Sequence, residues 1–171
     1  MKNLKIRQDF NAHLLDLLKA REERYKHLDK FPELKNVQIV REEFIEGKLI
    51  QERHIHLTDS LPGVIKTFLN SDSIILVEKS EFITEDNIHT FQVVPGKGLD
   101  QFFTIDGISK YHSSGDTTSS RDYDISIKSS AFLIGAVIES AIAEIYQHNL
   151  EKDKKSIDEF LIFIQGDKGD V

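Results

Sequence analysis

The sequence has no cysteine and no long apolar run. Without cysteine, neither a disulfide framework nor thiolate chemistry is available to the protein. The longest apolar run, residues 131–138, has eight residues, whereas a membrane-spanning helix needs roughly 20. The N-terminal residues are charged and alternating, without the apolar segment of a secretory signal. We therefore expect a cytoplasmic protein with no transmembrane segment.

Length and charge restrict the classes of function. The 171 residues carry a formal charge of −7, a length typical of one domain with a real core. We predict a single domain over residues 1–165, followed by a flexible tail over residues 166–171. Because the negative charge is spread over the chain, nucleic acid and anionic membrane surfaces are disfavoured as partners. Composition does not predict the oligomeric state.

Hydrophobic periodicity predicts the order of elements in the first third of the chain. Leu4 and Ile6 alternate with basic residues, which indicates a short strand. Asn11 is the predicted N-cap of one or two amphipathic helices that end before Pro32. Two strand-like segments then meet at residues 46–48, where Glu-Gly-Lys is typical of a hairpin turn.

The rest of the chain reads as a short helix, a meander of strands and one long helix. Residues 61–69 predict a short helix, because Pro62 is tolerated in a first turn. Three or four strands follow, in residues 73–83, 87–95, 101–112 and 119–128, with turn-forming residues between them. A stripe of apolar residues three or four apart then predicts a long amphipathic helix. The stripe comprises Ile134, Ile138, Ile142, Ile145, Tyr146, Leu150, Ile157, Phe160, Leu161 and Ile164.

This order of elements predicts an α+β fold in which a curved antiparallel sheet wraps around the long C-terminal helix. In residues 125–139 a strand leads through an apolar stretch and a glycine into a helix that carries Ile and Glu. The positions concerned are Ile125, Ile127, Leu133, Ile134, Gly135, Ile138 and Glu139.

With these residues and this order, the chain resembles the START-like, helix-grip (SRPBCC) superfamily, which includes polyketide cyclases, pollen-allergen lipid carriers and PRELI-type lipid transfer proteins. The resemblance is nearest to a bacterial family of unknown function within that superfamily. Members often have a proline before the glycine, and residues 130–132 contain none. The resemblance implies a cavity between the sheet and the last helix that holds a lipid or another apolar small molecule.

Aromatic and aliphatic residues of the predicted strands and helix are candidates for the walls of this cavity, since small-molecule pockets are mainly apolar with a few polar groups. They are Phe82, Phe91, Phe102, Phe103, Ile105, Tyr111, Tyr123, Ile138, Ile142 and Tyr146. The short helix is a candidate gate over the cavity, through Leu61, Val64, Ile65 and Phe68, and its apolar character leaves transient membrane contact open. The alternative is that all these residues fill a solid core.

One histidine pattern is compatible with a metal site. Glu52, His54 and His56 lie two apart on a predicted strand and would share one face. Because Ile55 and Leu57 alternate with them and would point inward, a solvated outer face explains the pattern as well. No third ligand has metal-site spacing, so we expect neither a metal nor a cofactor.

The predicted strands also carry carboxylates, namely Glu42, Glu43, Glu78, Glu81, Asp106, Asp122 and Asp124. An inward acid with a raised pKa could act as a general base. The sequence has no nucleophile-elbow motif that would indicate a hydrolase. We expect the protein to bind a hydrophobic, lipid or fatty-acid-like molecule as a carrier or sensor, without covalent chemistry. Two alternatives stay open: a cyclase or dehydratase with an inward acid, and a protein-interaction module with a solid core.

Overall fold

The computed structural model describes residues 1–57, 61–96 and 102–167. Within these ranges seven strands and three α-helices follow one another along the chain. In chain order they are β1 (Lys2–Phe10), α1 (Leu14–Glu23), β2 (Val37–Ile45), β3 (Lys48–Leu57), α2 (Gly63–Leu69), β4 (Ile74–Ile83), β5 (Ile88–Pro95), β6 (Phe103–Ser113), β7 (Ser119–Ser129) and α3 (Gly135–Asp167). Two short 3-10 helices, Arg24–Lys26 and Pro32–Asn36, lie between α1 and β2.

The strands form one antiparallel sheet in the order β1-β7-β6-β5-β4-β3-β2. Strands β2 to β7 are therefore a meander, and β1 closes the far edge by pairing with β7. The 33-residue helix α3 packs on the inner face, where it contacts β1, β7, α1 and α2. The predicted α+β helix-grip architecture is confirmed.

The hairpin between β2 and β3 forms where the sequence predicts it. Glu46 and Gly47 both have positive φ angles, of 50° and 77°. Two consecutive residues of this kind form a turn whose twist matches that of the flanking strands. Leu49, Gln51 and Arg53 of β3 consequently fall on the inner face.

The first helix begins later than predicted. Helix α1 begins at Leu14, with His13 in the N-cap position, so Asn11 does not cap it. The reason is tertiary: the hydroxyl of Ser119 in β7 donates a hydrogen bond of 2.8 Å to the carbonyl of Ala12. The chain stays attached to the sheet through Ala12, and the helix starts only beyond that point.

At the other end of the chain, α3 continues through residues 166 and 167, which the sequence assigned to a tail. The remaining tail residues, 168–171, lie outside the described residues. No helix in the described part of the chain is long and apolar enough to cross a membrane.

Two apolar clusters occupy the space between the sheet and α3. One lies at the end of the sheet near α2 and includes Ile65, Ile125 and Ile138. The other lies under α1 and includes Leu17 and Phe160. The predicted helical stripe supplies both clusters, with Ile138, Ile142, Ile145 and Leu150 in the first and Ile157, Phe160 and Leu161 in the second. Ile134 precedes the helix and is partly exposed.

Candidate ligand-binding cavity

A cavity of about 310 Å³ lies between the sheet, α1, α2 and α3, with exposed residues such as His56 on its border. A volume of this order is typical of pockets for small molecules. The cavity has two chemically different ends, and each is built from the inward positions of the strands and the facing side of α3.

The end of the cavity near α2 is apolar. Branched aliphatic side chains predominate there, because Ile74, Leu76, Val93 and Ile105 occupy alternate, buried positions of β4, β5 and β6. The apolar lining consists of Leu61, Ile65, Ile74, Leu76, Val93, Phe103, Ile105, Ile142 and Ile145. This surface can bury the body of a hydrophobic molecule.

The opposite end is charged, and its charges form two bridged pairs of arginines. Glu22 bridges Arg21 and Arg53, with nitrogen to oxygen distances of 2.6 Å and 3.3 Å. Asp153 on α3 bridges Arg24 and Arg121, and the Arg121 Nη2 lies 3.0 Å from Asp153 Oδ2. Four guanidinium groups therefore share two carboxylates in the interior.

These ion pairs fix the charge states of both carboxylates. Burial alone would raise the pKa of Glu22 and Asp153, but the neighbouring guanidinium groups outweigh it and lower both pKa values. A buried ion pair is tolerated where hydrogen bonds satisfy its remaining atoms. Gln8 contributes here, because its side-chain oxygen accepts a hydrogen bond of 3.0 Å from Arg121 Nε.

Tyrosine hydroxyls also accept hydrogen bonds from the arginines. The hydroxyl oxygen of Tyr111 accepts from Arg21 Nε at 3.0 Å, and that of Tyr25 accepts from Arg53 Nη1 at 3.3 Å. Burial tends to raise the pKa of Tyr111, but Arg21 and Arg121 lower it overall. A protonated phenol that accepts these bonds can still donate one hydrogen bond of its own.

Four buried polar atoms have no hydrogen-bond partner among the described residues, and all belong to residues that line the cavity. They are Arg24 Nε, Arg53 Nε, His89 Nε2 and Ser156 Oγ. Arg24, His89 and Ser156 are only 2%, 8% and 3% exposed. Buried polar atoms are nearly always paired, so unpaired ones beside a cavity point to a partner that the cavity admits.

His89 is held neutral at this end of the cavity. Burial, followed by the positive charges of Arg21, Arg53 and Arg121, lowers its pKa well below the usual value. Its Nδ1 lies 3.4 Å from the Ser109 hydroxyl on the neighbouring strand. The Nε2 atom, which has no partner in the described part of the chain, is thus available to a bound molecule.

Of the carboxylates that the sequence singled out, Glu78 is the one that lines the cavity. It lies on β4 opposite Arg53 of β3 and lines the cavity. Its carboxyl forms no hydrogen bond or ion pair with another described residue, because Arg53 is engaged by Glu22, Gln51 and Tyr25. Burial outweighs the attraction of Arg53 and Arg21 and raises the pKa of Glu78.

Most of the predicted wall residues border the cavity. Those that do are Phe91, Phe103, Ile105, Tyr111, Tyr123, Ile142 and Tyr146. Phe82 instead packs in the cluster under α1, with Arg21 over its ring at 4.7 Å. Phe102 packs against Phe68 at 4.9 Å, and Ile138 is fully buried in the cluster near α2. Contact with a ligand stays a prediction for all of them.

The candidate gate α2 lies over the apolar end of the cavity. Leu61 and Ile65 line the cavity, and Val64 packs against the adjoining cluster. Phe68 is partly exposed and rests on Phe102. Before α3, residues 131–136 include Phe132, which is 87% exposed. Opening of this gate stays a prediction.

The histidine pattern on β3 forms an outer face. His54 Nε2 lies 3.2 Å from Glu52 Oε1, and His56 is exposed and also borders the cavity. Ile55 and Leu57 pack against the core cluster, as the alternation predicted. Among the described residues, no three His, Asp or Glu side chains form a group that could hold a metal ion.

The buried arginines were not predicted from the sequence, although the positions of two of them on the strands indicate burial. Arg121 stands in phase with Tyr123, Ile125 and Ile127 on β7, and Arg53 is in phase with Ile55 on β3. A charged residue at an inward position of an otherwise apolar face marks a buried polar site. The partners Glu22 and Asp153 lie on helices that only the tertiary structure brings to this point.

No protein-family model matches the sequence, and no curated protein matches it either. Solved structures resemble it over nearly the whole chain. A START superfamily protein from Mycobacterium smegmatis is 10% identical, with a TM-score of 0.59, over 95% of this chain and 98% of that one. The Zhui aromatase/cyclase from Streptomyces sp. R1128 is 8% identical, with a TM-score of 0.63, over 94% and 93% of the two chains.

Ara h 8.0201 is also similar, with 10% identity and a TM-score of 0.65 over 94% of this chain and 97% of that one. At these identities the likeness concerns the fold. The chain has the START-like helix-grip fold, as its sequence resemblance implied.

Proposed function

We propose that this helix-grip protein binds a hydrophobic, lipid or fatty-acid-like small molecule in the cavity between the sheet and α3, as a carrier or sensor. The observation that carries the proposal is the cavity itself, which has an apolar end near Ile65 and unpaired polar atoms at the other end. Burial of apolar surface drives binding at about 25 cal/mol per Å². The polar end sets the orientation of the molecule.

The alternative function, a protein-interaction module, assumed a solid core. The cavity between the sheet and α3 disfavours that alternative. A carrier needs no group that breaks bonds, only a surface that excludes water and fits the molecule. Ile142 and Phe103, which are nearly fully buried, supply such a surface from α3 and β6.

The first experiment is native mass spectrometry of the purified protein, followed by organic extraction and identification of whatever is released. A co-purifying lipid near unit occupancy supports the proposal and names the ligand class. Protein that carries nothing and takes up no fluorescent fatty acid contradicts it.

A cavity-filling substitution makes the test specific. Ile142→Phe adds volume to the wall that α3 contributes, whereas Ile162→Phe adds the same volume at a position on α3 that is 70% exposed. We expect uptake of the fluorescent fatty acid to fall at least about tenfold in Ile142→Phe only, because added side-chain volume in the interior has no solvent space to occupy. Equal uptake by both variants contradicts binding in this cavity.

Glu78 favours a second candidate, a dehydratase or cyclase. Its carboxyl lines the cavity, and its raised pKa suits a general acid. The molecules extracted from wild-type protein and from Glu78→Gln separate the two functions. A dehydratase leaves in the variant a precursor heavier by the mass of one water, whereas a carrier releases the same molecule from both proteins.

A further inference from the structure

The charged end of the cavity carries an excess of positive charge. Arg21, Arg24, Arg53 and Arg121 contribute four positive charges, and their bridging partners Glu22 and Asp153 contribute two negative ones. Glu33 and Lys152 also border the cavity, but both are exposed and their charges are opposite. Glu78 is a further lining carboxyl, and burial raises its pKa. Such an excess in the interior is costly unless an anion compensates it.

The unpaired atoms are of the kind that an anion would use. Arg24 and Arg53 each leave an Nε–H without an acceptor among the described residues. The Nε2 of His89 and the hydroxyl of Ser156 add two further groups that can donate. Because Tyr25 accepts from Arg53 through its oxygen, its own proton is also free to point elsewhere.

Arg53 is the best-placed of these groups. Its guanidinium is held by Glu22, Gln51 and Tyr25, and its Nε is buried without an acceptor among the described residues, on a side chain that lines the cavity. A guanidinium that is already ordered loses little freedom when it binds a carboxylate or phosphate.

We propose that the molecule bound in the cavity is an amphipathic anion, whose carboxylate or phosphate head is held at the arginine end through Arg53 and whose apolar body extends towards Ile65. The inference rests on the proposed function and adds the charge and the orientation of the ligand. Glu78, opposite Arg53, borders the head-group site and can donate a hydrogen bond to the head group when it is protonated.

The test compares three probes with the same chain, namely dodecanoate, dodecyl phosphate and 1-dodecanol, by calorimetric titration at neutral pH. Charge-assisted hydrogen bonds to a head group predict that at least one anion binds about tenfold or more tightly than the alcohol. The tighter of the two anions identifies the head as carboxylate or phosphate. Equal affinities of all three overturn the inference and leave the proposed function standing, whereas binding of none overturns both.

Arg53→Met locates the head group, with Arg41→Met as its control on the exposed edge strand β2. Glu22 keeps Arg21 as a partner when Arg53 is replaced, so the network retains a paired carboxylate. We expect the preference for the anion to be lost in the first variant, with alcohol binding unchanged, and to be kept in the second. A folded Arg53→Met protein with full anion preference overturns the assignment, and if that variant does not fold, the comparison of probes on the wild type still decides.

Discussion

Phe91 on β5 lies flat over Gly107, its cross-strand partner on β6. A Cβ atom added at Gly107 would lie 2.1 Å from Cζ of the Phe91 ring. The glycine therefore provides the space in which the ring rests against the sheet, and the ring in turn forms part of the cavity wall and stacks on Tyr146 of α3.

Gly107→Ala should push this ring towards α3. Overpacking of this kind costs about 1–3 kcal/mol, and we expect a lower midpoint in chemical denaturation. The double variant Gly107→Ala/Phe91→Leu should recover much of the loss, because the smaller side chain vacates the position of the ring. An additive double variant in a mutant cycle would show that the two residues are not coupled.

Asp153→Asn should destabilise the protein by about 3 kcal/mol, because it removes one partner from two buried arginines. Arg24 and Arg121 would both lose their carboxylate. Asp158→Asn is the matched control, since Asp158 pairs with Lys154 on the more exposed side of α3. Urea denaturation of both variants measures the difference, and equal midpoints would contradict a structural role for the bridge.

The same aspartate predicts loss of stability in acid. The pKa of Asp153 is lowered in the folded protein, so its contribution is present above the unfolded value of 3.8 and is lost as the pH falls towards the folded pKa. Wild-type stability should therefore drop below about pH 4 more steeply than that of Asp153→Asn. If the stability of wild type and of Asp153→Asn fell equally with decreasing pH, protonation of Asp153 would not explain the loss of stability in acid.

His89 predicts a second, milder pH dependence. Its pKa in the folded protein lies well below the unfolded value of 6.5, so the unfolded chain takes up a proton that the folded chain rejects. Stability should fall as the pH decreases below 6.5. In His89→Gln this slope should be shallower between roughly pH 6.5 and 5. Thermal unfolding measures it, and His112→Gln, at a partly exposed position, is the control.

For Glu78 we expect the opposite pH dependence, in which stability falls as the pH rises. Burial raises its pKa in the folded protein. The contribution of Glu78 to the free energy of unfolding is therefore fully present below the unfolded pKa of 4.5 and is lost as the pH rises through the folded pKa. Glu78→Gln should therefore be more stable than wild type at neutral pH and equal to it in acid. Glu81→Gln, on the outer face of the same strand, should change little, and a destabilised Glu78→Gln would show that the carboxylate has a partner in solution.

Glu78 should also govern how anion binding responds to pH. The charges that face it are Arg53 on β3, Arg21 and Glu22 on α1, and Asp153 on α3, with Tyr146 beside them. When the pH rises and Glu78 loses its proton, the positive excess falls, so dodecanoate should bind more weakly. Glu78→Gln should bind it with little change over the same range, and identical profiles for both proteins would contradict the head-group site.

The sequence determined the fold, because its elements have strong local signals. The turn at residues 46–47, the alternation of β1 and the apolar stripe of α3 each follow from backbone geometry and burial. The START-like arrangement followed from their order. The start of α1 did not, since it depends on the hydrogen bond between Ser119 and Ala12.

The charged end of the cavity was decided by tertiary structure alone. Arg21, Arg53, Arg121 and Asp153 come from α1, β3, β7 and α3, and no local pattern relates them. In the sequence, the inward phase of Arg53 and Arg121 on their strands indicates burial, but Arg21 and Asp153 are of a type that is usually solvated on a helix. Only the wrapping of the sheet around α3 buries them together, and this burial turns ordinary surface residues into a positively charged interior.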